Sequence, residues 1–283
     1  MELKQLTLTE LREARAKLNR LNDGRKLTHD DDACRFIQER GFALLMPIAG
    51  IPLPNLSEAD AAPPWKDFEI TDRAWAWKET LPSQKKCAYT KLIQGRGTFI
   101  DWQFYPSFLK VYGPEGDADY EYENGRLERS EYDLYRIVEN SGPIDSRELW
   151  NQTKPIFSGK RNRFTHAMGK LQSRFLLTVS GGSLEGWSIH TWDTVEHQIP
   201  PEVFVDLPTR DDARKNILYQ TVLNCIVIPE LKLRAILRWI PADFRQSMLS
   251  LKEKEAVIEV SVEGENQPCL MAKESCLFHQ LKF

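Results

Sequence analysis

No two cysteines in this chain are separated by only two residues. The five present (Cys34, Cys87, Cys225, Cys269 and Cys276) are odd in number and widely spaced. That excludes a zinc-ribbon pattern and a disulfide framework and fits reduced thiols. No apolar run reaches membrane length, and Met1-Glu2-Leu3-Lys4-Gln5 starts no secretory signal. A cytoplasmic protein with no membrane partner is therefore expected. A nucleophile-elbow spacing is missing too, so Ser, His and Asp occur without the pattern that would join them in a hydrolase. Gly95-Arg96-Gly97 is too short for a phosphate-binding loop. Asp117, Asp119, Glu121, Glu123 and Glu128 have calcium-loop spacing, but Tyr122 stands where that loop requires glycine. Tyr120 and Tyr122 alternate instead like an edge strand or extended linker. His29-Asp30-Asp31-Asp32 has the composition of a metal cluster, yet acids are favoured in any first helical turn by its unpaired N–H groups. No metal and no cofactor is expected.

An excess of positive charge is the last absence. The chain is formally −3 at pH 7, which argues against a general nucleic-acid coat and leaves room for a local contact patch. Such a patch stands out. From position 149 to 184 there is no Asp or Glu, while Lys154, Lys160, Arg161, Arg163, Lys170 and Arg174 all fall there. The same stretch has a regular order of elements. A helix is expected over 130–140. Asp145-Ser146-Arg147-Glu148 has the form of a capping box and starts a second helix that ends near Gln152. After a break at Lys154-Pro155 and Ser158-Gly159, a third helix is expected over 160–174, capped by Ser158 or Gly159. Phe164, Ala167, Met168, Leu171 and Phe175 form one apolar stripe along it. Two short strands at 176–180 and 187–192, joined through Gly181-Gly182-Ser183, read as a hairpin. Helix, helix, helix, hairpin is the order of a winged helix-turn-helix.

In that fold the second helix of the helix-turn-helix enters the major groove with its N-terminal residues leading. Here that end reads Lys160-Arg161-Asn162-Arg163, with His166 one turn on. Arg and Asn suit bidentate contacts with guanine and adenine edges, and Lys suits phosphates. The ordinary alternative is a solvated helix face whose acids lie elsewhere. The DNA-binding reading assigns base edges to Arg161, Asn162, Arg163 and His166, and phosphates to Lys160, Lys170 and Arg174. His190 and Asp193, three apart in a strand, fall on opposite faces and make no pair, and Trp187 and Trp192 read as hairpin packing.

On either side the pattern is less charged. An amphipathic helix over 7–21, with a Glu13–Lys17 pair, precedes another over 28–40, and 42–46 reads as a buried strand. Thr71 caps a short helix carrying Trp75 and Trp77. The segment 65–112 is rich in aromatics beside Lys85, Lys86, Lys91 and Arg96. That mixture fits a base-stacking surface, but a core joining the first section to the second is preferred. After a Pro-containing linker a third unit of the same order begins at Asp211. Its third helix opens at Pro241 and carries Phe244, Met248 and Leu251. Arg245 and Lys252 there are mixed with Asp243 and Glu253, so a structural or protein-contact role is expected. The fold class is mixed α/β (α+β), helix-rich, as tandem winged-helix units. Three sections follow: 1–115, winged-helix-like with an aromatic-rich extension; 116–200, the central DNA-binding module; and 201–283, a C-terminal winged-helix-like module.

Taken in order, the three units resemble the AlkZ-type winged-helix DNA glycosylases. The resemblance is closest in Tyr122-Glu123-Asn124-Gly125-Arg126-Leu127, in 142–149 and in 212–264. It implies tandem winged helices on duplex DNA, and a relation to repair enzymes that excise alkylated or cross-linked bases. Active members carry a Gln-x-Asp or Gln-x-Gln motif on the first strand after the opening helices. The corresponding positions are Leu44, Leu45 and Met46, all apolar, with no group to activate water or stabilise an oxocarbenium ion. The C-terminal β-rich domain of active members also has no counterpart before Phe283. The expectation is thus duplex DNA binding without the relatives' activity. A glycosylase with a relocated catalytic group is the first alternative, and a protein-interaction scaffold the second.

Overall fold

A computed structural model describes residues 5–22, 24–62, 73–183 and 189–278. The expected strand start at Trp187 and the cap at Thr71 lie outside these residues. Helix α1 (Leu8–Leu18) opens with a capping box in which Thr7 and Glu10 satisfy each other's backbone N–H groups. The first repeat is α2 (Asp30–Arg40), β1 (Phe42–Leu44), α3 (Leu56–Ala59), α4 (Arg73–Ser83), β2 (Ala88–Lys91) and β3 (Gly97–Ile100). Helices α5 (Tyr105–Tyr112) and α6 (Ala118–Glu123) connect it to the second: α7 (Arg129–Ser141), β4 (Ile144–Asp145), α8 (Ser146–Thr153), α9 (Arg161–Ser173), β5 (Leu177–Ser183) and β6 (Ile189–Thr194). After α10 (Val195–Gln198) the third comprises α11 (Arg210–Cys225), β7 (Val227–Pro229), α12 (Glu230–Leu237), α13 (Pro241–Glu253), β8 (Val257–Val260) and β9 (Cys269–Ala272). Each repeat runs helix, strand, helix, helix, hairpin. In each, the short first strand pairs antiparallel with the last one, giving sheet orders β1-β3-β2, β4-β6-β5 and β7-β9-β8. The chain is an α+β mixture of three such units, and no described helix is long and apolar enough to cross a membrane.

Packing does not respect the order of the chain. One core cluster merges the first two units, bringing Phe36, Trp77 and Phe99 together with Leu134, Leu149, Phe164 and Leu171. A second joins β1 and α5 to the third unit through Phe42, Phe108, Ile217, Leu218 and Phe244. Helix α1 belongs to neither. Leu6 bridges Val262 in parallel, and Leu6, Leu11 and Ala14 share a core cluster with Val227, Val260, Cys269 and Met271, so this segment packs with the sheet of the C-terminal unit. The aromatics of 65–112 sort accordingly: Trp77, Phe99, Tyr105 and Phe108 are fully buried and are unavailable to stack on bases.

Three local expectations change. Tyr120 and Tyr122 lie in a helix, α6, because Asp117 accepts the Tyr120 N–H as an N-cap. Lys160, not Ser158 or Gly159, is the N-cap of α9, and no side chain caps that helix. Lys17 closes no ion pair with Glu13 among the described residues and lines a cleft instead. The acids at 30–32 are held locally: Asp32 accepts both the N–H and the hydroxyl of Thr28, and Asp31 pairs with Lys86 at 2.7 Å.

Candidate nucleic-acid interface

The turn between α8 and α9 fixes how α9 is presented. Asp145 caps α8 by accepting the N–H groups of Arg147 and Glu148. Beyond Thr153 the backbone turns through two left-handed residues, Ser158 at φ 49° and Gly159 at φ 69°. Nothing crowds a Cβ at Gly159, so its backbone angle alone favours glycine there. Phe157, buried in the turn, meets the Phe164 ring edge-on at 5.7 Å, and Trp150 meets Phe164 at 5.3 Å. With Phe164, Ala167, Met168 and Leu171 turned into this core, the period of the helix puts Arg161, Asn162, Arg163, Thr165 and His166 in solvent.

This exposed end is positive in three ways. The first turn of α9 has no acid and its N-cap Lys160 supplies no side-chain cap. Asn162 Oδ1 and the Lys160 carbonyl accept the Arg163 N–H, and the N–H groups before it form the positive end of the macrodipole. Lys160, Arg161, Arg163 and His166 have no acidic partner among the described residues. The Arg161 guanidinium rests over the Trp150 and Phe164 rings at 5.0 and 5.6 Å, which limits its rotamers without neutralising it. Beside it runs a groove of about 620 Å³ lined by Asn162, Arg163 and His166 and by Glu128, Ser130 and Glu131 at the start of α7. A helix end of this kind suits an anion such as a phosphodiester.

The far end of α9 is different. Lys170 reaches Glu131 at 2.6 Å and Glu128 at 3.3 Å, and the hydrogen bond to Glu131 holds its ammonium above the ordinary lysine value. Arg174 binds the carboxylate of Glu121 and the carbonyl of Arg126. Burial by itself raises the Glu121 carboxyl, but the Glu115 N–H, the Arg174 charge and Arg126 together hold it below the ordinary value. The acid-free window is therefore acid-free only along the sequence. The structure keeps Lys160, Arg161, Asn162, Arg163 and His166 together at one helix end, and engages Lys170 and Arg174 with acids of α6 and α7.

The sequence reading missed a buried polar knot that ties the first unit to this one. Glu79 of α4, fully buried, bonds Lys78 at 2.9 Å and His190 of β6 at 3.0 Å. Lys78 also lies 4.1 Å above the Trp75 ring, and burial holds its ammonium below the ordinary lysine value. Gly182, paired with His190 across the hairpin, allows this approach: a Cβ there would stand 2.3 Å from Glu79 Oε2. Asp193 holds His197 at 3.1 Å, and Trp192 donates to Ser146 Oγ at 2.7 Å, so these two side chains tie the hairpin to α10 and α8. At the strand where active relatives are expected to carry a Gln-x-Asp pair, Leu44 and Leu45 are buried and Met46 is exposed.

The comparisons with known proteins agree with this architecture. The family model described as "AlkZ related" matches residues 27–238. Among solved structures, the Streptomyces sahachiroi DNA glycosylase AlkZ is similar, with a TM-score of 0.62 at 13% identity, over 98% of this chain and 72% of that one. No curated protein matches.

Proposed function

The chain belongs to the AlkZ-related family, and on that premise we propose that it is a duplex DNA-binding protein of three winged-helix units, the central one making the contact. The observation that carries this is the first turn of α9: exposed, acid-free and accompanied by Lys160, Arg161, Arg163 and His166, none with an acidic partner among the described residues. Arg161, Asn162, Arg163 and His166 approach base edges, and Lys160 meets phosphate. Lys170 and Arg174 would have to leave Glu131 and Glu121 to bind DNA, so they are assigned to orienting the helix. The domain boundaries at about 115 and 200, the cytoplasmic setting and a protein-contact role for the third unit belong to the same proposal. The test is a duplex titration at several salt concentrations. Binding should weaken steeply with salt, and Arg161→Ala/Arg163→Ala should flatten that dependence. Identical slopes for variant and parent would refute the assignment.

A second reading, base excision from alkylated or cross-linked DNA, is favoured by one feature. A groove of about 750 Å³ follows directly after Met46, with apolar walls from Ile48, Ile51 and Leu53 and polar groups from Arg15, Asn19, Glu58 and Glu265. Asn19 is buried and its Oδ1 has no hydrogen-bond partner. Release of free base from alkylated duplex, abolished by Glu58→Gln or Glu265→Gln, would establish a relocated catalytic acid. Absence of release at high enzyme concentration leaves binding alone.

A further inference from the structure

A second concentration of positive charge lies far from α9 in sequence. Helices α1 and α2 end beside one another, and with Cys276 they enclose a cleft of about 490 Å³. Four basic side chains line it: Lys17 from the last turn of α1, Arg20 and Arg25 from the connection, and Arg40 from the last turn of α2. Among the described residues the cleft has one acid, Glu39, and Arg20 takes both of its oxygens at 2.9 Å. Lys17, Arg25 and Arg40 have no acidic partner among the described residues.

Helix C-termini favour basic residues in their last turns, which explains one charge on each helix. It does not explain Arg25, which lies in the connection. Nor does it explain why the charges converge on one concavity in a chain that is net negative. Arg40 adds an independent sign. It lines the cleft while half-buried, burial holds its guanidinium below the ordinary arginine value, and no acid pairs with it among the described residues. The carbonyl that an anion would meet at this helix end is already taken, because Gln220 and Asn224 donate to the Arg40 oxygen at 3.0 and 2.9 Å.

We propose that this cleft is a phosphate-binding site, in which Arg40 and Arg25 supply guanidinium donors and Lys17 a point charge. Guanidinium forks match phosphate oxygens two at a time, and a lysine adds charge without fixing geometry. Either a free phosphate or a phosphodiester of a DNA strand offers that chemistry, and the two sources separate experimentally. The site does not depend on the reading of α9.

Lys17 and Arg25 are exposed, so Lys17→Gln/Arg25→Gln should fold like the parent. Two measurements are made on the full chain. The first is the melting temperature in inorganic phosphate against chloride at equal ionic strength. The second is the salt slope of duplex binding. Millimolar phosphate raising the melting temperature by about 2–4 °C in the parent and not in the variant assigns the site to free phosphate. No phosphate effect, with a duplex salt slope shallower by about two in the variant, assigns it to the DNA backbone. Parent and variant alike in both measurements overturn the proposal.

Discussion

Helices α9 and α13 occupy the same place in successive repeats and share a core pattern, Phe164, Met168 and Leu171 against Phe244, Met248 and Leu251. Their exposed residues diverge. Where α9 begins with the N-cap Lys160, α13 begins with the N-cap Ile240, 62% exposed. Where α9 has Arg163 at its third position, α13 has Asp243, which pairs with Arg214. The exposed Arg147 at the second position of α8 has its counterpart in Leu231 of α12, 60% exposed. One scaffold thus presents a basic helix end in one copy and an apolar, neutralised one in the other. The core positions hold the fold, and the solvent positions are free to choose a partner. Helix α4 takes a third course, putting Lys78 between Trp77 and Leu81 on its buried side and answering it with Glu79.

The largest effect should come from breaking the α4 arrangement. Glu79→Ala removes the buried carboxylate that Lys78 and His190 both bond, so a loss of about 3–5 kcal/mol is expected by chemical denaturation. A loss under about 1 kcal/mol would mean that Lys78 finds solvent. Next, Arg161→Ala/Arg163→Ala should weaken duplex binding by about 2–4 kcal/mol at low salt without a change in melting temperature. Arg163→Asp, which gives α9 the acid of α13, should weaken binding at least as much as Arg163→Ala, because the acid repels phosphate. If Asp243→Ala in the third unit costs as much affinity, the division of labour between the copies is wrong.

Arg174→Ala should cost about 1–3 kcal/mol of stability, since Glu121 is buried and among the described residues keeps only Arg126 as a charged partner. The pH dependence has a definite sign. The Glu121 carboxyl is held below its ordinary value, so its contribution is present above the unfolded carboxylate range and is lost as pH falls through the depressed value. Glu121→Gln should therefore flatten the acid limb of stability below about pH 4.5; an unchanged limb assigns acid lability elsewhere. The smallest effect is expected for Trp150→Leu, which removes one of the two rings under the Arg161 guanidinium and should lower duplex affinity by about 0.5–1 kcal/mol.

Much of this was legible in the sequence wherever a local period and a cap coincided. The apolar stripe of α9, the Asp145 cap and the Pro241 start all specify their elements within a few residues. Alternation misled at Tyr120 and Tyr122, where the cap at Asp117 was the stronger signal. Ion pairs were not legible, because the acids that meet Lys170 and Arg174 come from about 40 and 50 residues earlier. The bridge between Leu6 and Val262 joins the ends of the chain, and no periodicity reports that. The site itself is legible only in part: the cluster at 160–166 stands in the sequence, but its separation from Lys170 and Arg174 depends on tertiary packing.

The central claim is that α9, and no other repeat's third helix, carries the DNA contact. The most direct measurement is the slope of log affinity for duplex DNA against log salt concentration, for the parent protein and for Arg161→Ala/Arg163→Ala. The account predicts a steep slope in the parent that becomes shallower by about two in the variant. A parent slope near zero, or equal slopes in the two proteins, would contradict it.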